Sequence, residues 1–114
     1  ECIASSDFLV LPSVFEPCGL EDFIGQILGT LPIAHAVGGL KKIIHEKTGF
    51  LYEDNSADGL YTVLKRIYTM FIHEPEKILE MKKNAAVKVH EEFTWDAIVS
   101  KQYIPLYEKI IGKK

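Results

Sequence analysis

Several broad classes are ruled out by what the sequence lacks. No apolar run in the 114 residues approaches the roughly 18–20 residues that a helical membrane span needs. No block of like charge exists either. Thirteen Lys and Arg are scattered among sixteen Asp and Glu, giving a net charge of −3 and a pI of about 5.8. An electrostatic grip on nucleic acid or on anionic lipid is therefore not expected. The four histidines, His35, His45, His73 and His90, are spread along the chain. None pairs with another His or Cys at ligand spacing, so no metal site is expected. There are no repeats, low-complexity stretches or linkers. The opening "ECIASSDFLVLPS" has no basic leader before its apolar stretch and no initiating Met. This stretch is not expected to be a signal peptide, and the chain is expected to be a cut piece of a larger protein.

Cysteine is scarce. Cys2 lies before a candidate strand at residues 8–12 and Cys18 after it. Five strand residues span about 16 Å, whereas a disulfide needs Cα atoms within about 7 Å. Both thiols are expected to be free, as suits a reducing cytoplasm.

What is present is an ordinary globular composition, 47% hydrophobic and 25% charged, in 114 residues that suit one domain at most. "DFLVLPS" is a short, nearly continuous apolar run, which predicts a strand buried on both faces. In "GLEDFIGQILG", Leu20, Phe23, Ile24, Ile27 and Leu28 recur at helical spacing and Gly29 is a stop. Leu31 to Ala36 reads as a second strand, ending in a glycine pair. "LKKIIHEKTG" reads as one or two helical turns and "GFLYE" as a third strand. This alternation predicts a parallel α/β sheet.

The remainder reads as helical. Ser56 is an N-cap for a helix with Leu60, Leu64, Ile67, Tyr68 and Phe71 on one face. Pro75 suits the first turn of the next helix. That helix carries Ile78, Met81, Ala85, Val89 and Phe93 at spacings of three and four. Thr94 caps a last helix, which Pro105 is expected to kink near Tyr103–Pro105. Three sequential parallel strands are few for a doubly wound fold, so residues 1–114 read as the second half, the C-terminal portion, of a Rossmann-like domain. A free sheet edge could pair with a second copy, giving a homodimer.

In open parallel sheets, ligands bind beyond the carboxyl ends of the strands. Two loops lie at such ends: "SVFEPCGLED" after strand one and "AVGGLKK" after strand two. Glycine-rich turns entering helices can present amides to a diphosphate. Those around Gly19–Leu20 and Gly38–Gly39 are the candidates. Glu16 would then accept hydrogen bonds from hydroxyls of an attached sugar. Taken singly, the same residues have plainer readings. The glycines permit tight turns, Glu16 compensates a helix dipole, and Cys18 is a small buried residue. His35 either faces the cleft or sits satisfied in the core. Lys41 and Lys42 are solvated by default, with one of them in reach of phosphate.

Together the motifs are more specific. The stretch Pro12-Ser13-Val14-Phe15-Glu16-Pro17-Cys18-Gly19-Leu20, then Gly29-Thr30-Leu31-Pro32, then Val37-Gly38-Gly39-Leu40 resembles the C-terminal domain of bacterial glycogen synthases and plant starch synthases. That family carries P-S-R-[FY]-E-P-C-G-L-x-Q, Y-G-T-[LIV]-P and T-G-G-L. The closing "FTWDAIVSKQYIPLYEKII" resembles the family's C-terminal helix, and the likeness spans nearly the whole chain. It implies a retaining glycosyltransferase of the GT-B type, in which two Rossmann-like domains face each other across a cleft. It implies glucose transfer from ADP-glucose to an α-1,4-glucan, with no metal or other cofactor. By resemblance, Glu16 holds the donor glucose hydroxyls. Cys18, Gly19 and Leu20 form the turn that meets phosphate and sugar, and Gly38 and Gly39 form the second turn near the nucleotide.

The sequence departs from the family at Val14 (Arg), Glu21 (a small hydroxyl residue), Asp22 (Gln) and Val37 (Thr). A cation and polar donors are lost, and two acids are gained at a helix start. At 4 Å, like charges cost about 1 kcal/mol in water and about 4 kcal/mol at an effective dielectric of 20. Glu21 and Asp22 are thus expected to weaken a neighbouring phosphate seat. The resemblance also implies further basic residues earlier in this domain and a Lys-x-Gly-Gly motif in the N-terminal domain, so these 114 residues are expected to be inactive alone. Two alternatives stand beside this reading: a degenerate binding or structural module, and a retaining GT-B transferase using another nucleotide-sugar.

Overall fold

The computed structural model describes residues 1–112. Three parallel strands, β1 (Phe8–Leu11), β2 (Leu31–His35) and β3 (Phe50–Tyr52), lie side by side in sequence order. Phe8 is in register with Leu31, and Ile33 with Phe50. The expected α/β character and strand placement hold to within a residue or two. β2 is central and almost wholly buried, as its continuous apolar run requires. β1 is an edge strand. Its side chains are half-buried and Val10 is exposed, so the expectation of burial on both faces is corrected. The other edge strand, β3, is mostly buried, so it is the cover over the faces of β1 that is incomplete.

Between β1 and β2 runs α1 (Glu21–Ile27). It ends where Gly29 takes φ +84°, a left-handed conformation that glycine adopts without steric cost. The apolar face expected for it is not its buried face. Ile24, Ile27 and Leu28 are exposed, and the residues turned inward are Asp22, Gly25 and Gln26. After β2 the chain makes a single 3-10 turn over Gly38–Lys42, so the one or two helical turns expected in residues 40–49 begin earlier and end by Lys42.

α2 (Ala57–His73) and α3 (Pro75–Glu92) cover one face of the sheet. Ser56 caps α2 by accepting from the Gly59 amide at 3.0 Å, as expected. Leu31, Ile33 and Phe50 from the sheet pack against Val63, Ile67 and Met70 of α2 and Ile78, Met81 and Ala85 of α3. Burying each such side chain stabilises the fold by roughly 1.5–3 kcal/mol before entropy costs. On α2 the core stripe is Val63–Ile67–Met70, whereas Leu64, Tyr68 and Phe71 are exposed. Of the expected face, Ile67 is buried and Leu60 packs against the core, so the buried stripe is displaced around the helix by less than one residue's rotation. The apolar arc of α2 covers well over half its circumference, with Asp58, Thr62, Lys65, Arg66 and Thr69 on the remainder, and period alone does not choose between stripes within that arc. On α3, Ile78, Met81, Ala85 and Val89 are buried as expected.

The second sheet face is smaller: Ala34, Leu40 and Ile43, with Leu11, Val37 and Leu51 packed around them. The Gly38–Lys42 turn is pinned here through Leu40. At the other end of the chain Thr94 caps α4 (Trp95–Ile98), accepting from Ala97 N at 3.3 Å. The helix then widens into a π turn over Val99–Tyr103 before α5 (Ile104–Ile111). The disturbance expected at Pro105 takes this form. A regular turn would press the proline ring against the Lys101 carbonyl and call for an N–H that proline lacks. The molecule is elongated, 58 × 28 × 25 Å.

Candidate active site at the carboxyl end of the sheet

β1 and β2 end at neighbouring points, and the two loops that leave them touch. The Gly39 amide donates to the Glu16 carbonyl at 2.8 Å. The approach is so close that a Cβ on Gly38 would lie 1.9 Å from the Glu16 carbonyl oxygen. One on Gly39 would lie 2.1 Å from that of Cys18. The glycine pair is thus a packing requirement: no larger residue lets the second loop lie against the first.

The Glu16 carboxylate is held from within its own loop. The Gly19 amide donates to Oε1 at 3.0 Å and the Ser13 hydroxyl to Oε2 at 3.4 Å. The side chain is half-buried and retains free lone pairs for a further donor. Gly19 has φ +77°, and a Cβ there would meet Asp22 Oδ1 and Leu40 Cδ2, each at 2.9 Å. Cys18 and Leu20 are exposed. The plainer expectation of a buried Cys18 is corrected, because the tight Pro17–Gly19 turn lifts its side chain out of the packing. Cys2 and Cys18 are both free, as expected.

His35 at the end of β2 is satisfied. Its Nδ1–H donates to the Ser13 carbonyl at 2.6 Å, which fixes the tautomer because a carbonyl only accepts. It ties the first loop to the end of the second strand. Nearby, the Asn55 side chain donates to the Pro12 carbonyl at 3.4 Å.

The main surprise is Asp22. It does not point toward solvent, where a phosphate would rest. It is fully buried, 0% exposed. Gln26 Nε2 donates to its Oδ2 at 3.1 Å, and Lys42 Nζ lies 3.2 Å from Oδ1. That contact is an ion pair but not a well-aligned hydrogen bond, and Oδ1 has no hydrogen-bond donor. Burial pushes the Asp22 carboxyl above its ordinary value, and the Lys42 ammonium partly offsets this. Lys42 is correspondingly not solvated. Its ammonium donates to the Cys18 and Gly19 carbonyls, each at 2.5 Å, and sits 3.7 Å from the centroid of the Phe23 ring. Of the two acids expected to repel a phosphate, only Glu21 remains exposed.

The structure thus gathers Glu16, Cys18, Gly19, Gly38 and Gly39 at one place, with Leu20 at its rim. Ser13, His35, Asp22 and Lys42 were not singled out from sequence as its supports. The one available signal was a charge pair, an acid replacing Gln at position 22 and a Lys following the second glycine turn. A concavity of about 520 Å³ lies elsewhere, between β3 and α2, lined by residues including His45, Tyr52, Asp54, Asp58 and Arg66. It contains none of the candidate residues. Among the described residues no group of three or more His, Cys, Asp or Glu is arranged to hold a metal, and no helix is long and apolar enough to cross a membrane.

No family model matches the chain. Curated relatives do. A glycogen synthase of Xanthomonas campestris pv. campestris is 41% identical over 107 residues, covering 93% of this chain and 22% of its own length. A glycogen synthase of Lactococcus lactis is 38% identical over 117 residues, covering 96% and 24%. Among solved structures, the sucrose-phosphate synthase of Thermosynechococcus elongatus superposes with a TM-score of 0.77 at 32% identity, over 99% of this chain and 27% of that one. The catalytic domain of starch synthase IV from Arabidopsis thaliana, bound to ADP and acarbose, gives 0.77 at 26%, over 97% and 24%. The chain spans between about a fifth and a quarter of the length of the curated relatives it matches. In sequence and in fold it belongs with the glycogen synthase and starch synthase group of GT-B glycosyltransferases, to a segment of which it corresponds.

Proposed function

We propose that this segment forms the donor-sugar end of a glycosyltransferase active site. The protein it belongs to would transfer glucose, with retention of configuration, from ADP-glucose to an α-1,4-glucan. Glu16 accepts hydrogen bonds from the glucose hydroxyls. The Cys18–Gly19–Leu20 turn lies along the sugar and phosphate, and the Gly38–Gly39 turn lies toward the nucleotide. The observation that carries this reading is the Gly39–Glu16 contact of 2.8 Å. It joins two sequence-distant motifs at the carboxyl ends of adjacent parallel strands, where open α/β sheets bind ligands. The inward turn of Asp22 supports the reading too, because it removes one of the two negative charges from the path of a diphosphate.

The reaction draws on no group supplied by a metal in this account. Glu16 positions, and positioning effects require all groups to be held at once. The segment alone is therefore inactive, the remaining groups lying in other parts of the protein. The two free thiols fit a cytoplasmic setting.

A second reading is favoured by one specific observation. The amides of Gly19 and Gly39, two donors in the proposed phosphate turns, are both engaged by Glu16. A non-catalytic module whose loops merely stabilise each other would look the same. A different nucleotide-sugar is a third reading, since one structural neighbour is a sucrose-phosphate synthase. Titration with ADP-glucose, UDP-glucose and GDP-glucose separates the three. Saturable binding of one of them, abolished in Glu16→Ala, supports a donor site and names the donor. No binding of any at millimolar concentration supports the module.

A further inference from the structure

The Cys18–Gly19 peptide is gripped at both ends by opposite charges. Its carbonyl accepts from the Lys42 ammonium at 2.5 Å, and its N–H donates to the Glu16 carboxylate at 3.0 Å. No peptide bond in the described chain is cis. In a trans peptide the C=O and N–H point in opposite directions within one plane, so fixing the carbonyl fixes the direction of the N–H. We propose that Lys42 is a positioning residue for Glu16, acting through this single peptide group. The ammonium orients and polarises the peptide, and the peptide N–H holds the carboxylate in the pose that receives the donor sugar. This rests on the sugar-holding role of Glu16 proposed above.

Three further contacts make Lys42 suited to the task. Its second carbonyl bond, to Gly19 at 2.5 Å, prevents the ammonium from sliding off Cys18. The Phe23 ring, 3.7 Å away, backs it on another side. Asp22, buried beneath, supplies the counter-charge at 3.2 Å. Hydrogen bonds in a chain strengthen one another by polarisation. The order here, ammonium to carbonyl then amide to carboxylate, has every dipole aligned. Gly19 closes the arrangement, since a Cβ would strike Asp22 Oδ1 and sit 3.4 Å from Lys42 Nζ. A solvated lysine would leave this peptide free to flip, and Glu16 would lose one of its two internal donors.

The sequence offers a specific probe. Cys is followed by Gly only at Cys18–Gly19. In protein carrying [1-13C]cysteine and [15N]glycine, this one peptide gives a directly coupled carbonyl–nitrogen pair. The expected result for Lys42→Met is an upfield shift of both the Cys18 carbonyl carbon and the Gly19 amide proton, with Lys42→Arg restoring part of each. Asp22→Asn together with Lys42→Met leaves no unpaired buried charge, and it must show the same shifts should the single variant fail to fold. Unchanged carbonyl and amide resonances in a folded Lys42 variant would overturn the proposal. Glu16→Gln is expected to move the Gly19 amide proton upfield and leave the Cys18 carbonyl nearly in place. An unmoved amide proton there would also overturn it. ADP-glucose titration of the same samples tells the two readings apart. Shifts as expected, with ADP-glucose binding indifferent to Glu16→Gln, would overturn the sugar-holding reading and leave the peptide relay standing.

Discussion

Gly38 lies against Glu16 backbone to backbone, so closely that a single methyl group would fall 1.9 Å from the Glu16 carbonyl oxygen. Gly38 also has φ +49°, in the left-handed region. Gly38→Ala is therefore expected to force the loops apart, at a cost of roughly 2–3 kcal/mol. Gly39→Ala should behave likewise, its Cβ meeting the Cys18 carbonyl at 2.1 Å. Gly29→Ala makes the useful contrast: nothing lies within 4 Å of its Cβ, so only the φ +84° strain is felt, about 1 kcal/mol. Urea denaturation of the three variants checks the order.

The face that α2 buries can be tested directly. Met70→Ala removes a side chain that is 2% exposed and is expected to cost about 2–4 kcal/mol. Tyr68→Ala, at 68% exposed, should stay within about 0.5 kcal/mol of wild type. Equal losses at the two positions would restore the stripe expected from sequence.

Asp22 and Glu46 should shape acid stability in opposite senses. Burial raises the Asp22 carboxyl above 3.8, so the folded state takes up its proton more readily than the unfolded state. The associated stability is fully present below the unfolded value and is lost as pH rises through the folded one. The stability of wild type relative to Asp22→Asn is thus expected to fall as pH rises from 3.8 upward.

Glu46 accepts from Arg66 Nε at 2.7 Å, and that hydrogen bond holds its carboxyl below 4.5. Its contribution is present above 4.5 and lost as pH falls through the lower folded value. The pair is largely solvated, so the effect is small. Arg66→Ala should remove that share of acid sensitivity, together with the weaker pairing to Glu74, 3.8 Å from the same guanidinium, as urea midpoints across pH 2–7 would show.

Legibility in the sequence followed the strength of local constraint. β2 could be read because every residue from Leu31 to Ala34 is buried, and nothing but an apolar run satisfies that. The Ser56 and Thr94 caps could be read because their chemistry is local. Burial on α1 and α2 could not. Ile24 and Ile27 form a clean helical pattern yet face outward, and the inward position 22 is a carboxylate made tolerable only by Lys42, twenty residues away. An ion pair between a helix and a distant turn leaves no periodic trace. The same holds for His35, whose partner is a backbone carbonyl on another loop. The Glu16 and Gly38–Gly39 motifs were legible as motifs, but their mutual contact is a product of strand order.

The outer edge of β1 has no strand partner among the described residues, and Val10 on it is exposed. The isolated chain is expected to self-associate with rising concentration through such an edge. Static light scattering should show mass increasing with concentration; a constant monomer mass would remove the homodimer from the account.

The central claim is that Glu16 holds the sugar of a nucleotide-sugar donor. Calorimetric titration of the protein with ADP-glucose and with ADP, in wild type and Glu16→Ala, tests it most directly. The account predicts that wild type binds ADP-glucose more tightly than ADP and that this difference disappears in the variant while ADP affinity stays within a few-fold. An undiminished preference for ADP-glucose in Glu16→Ala would contradict it.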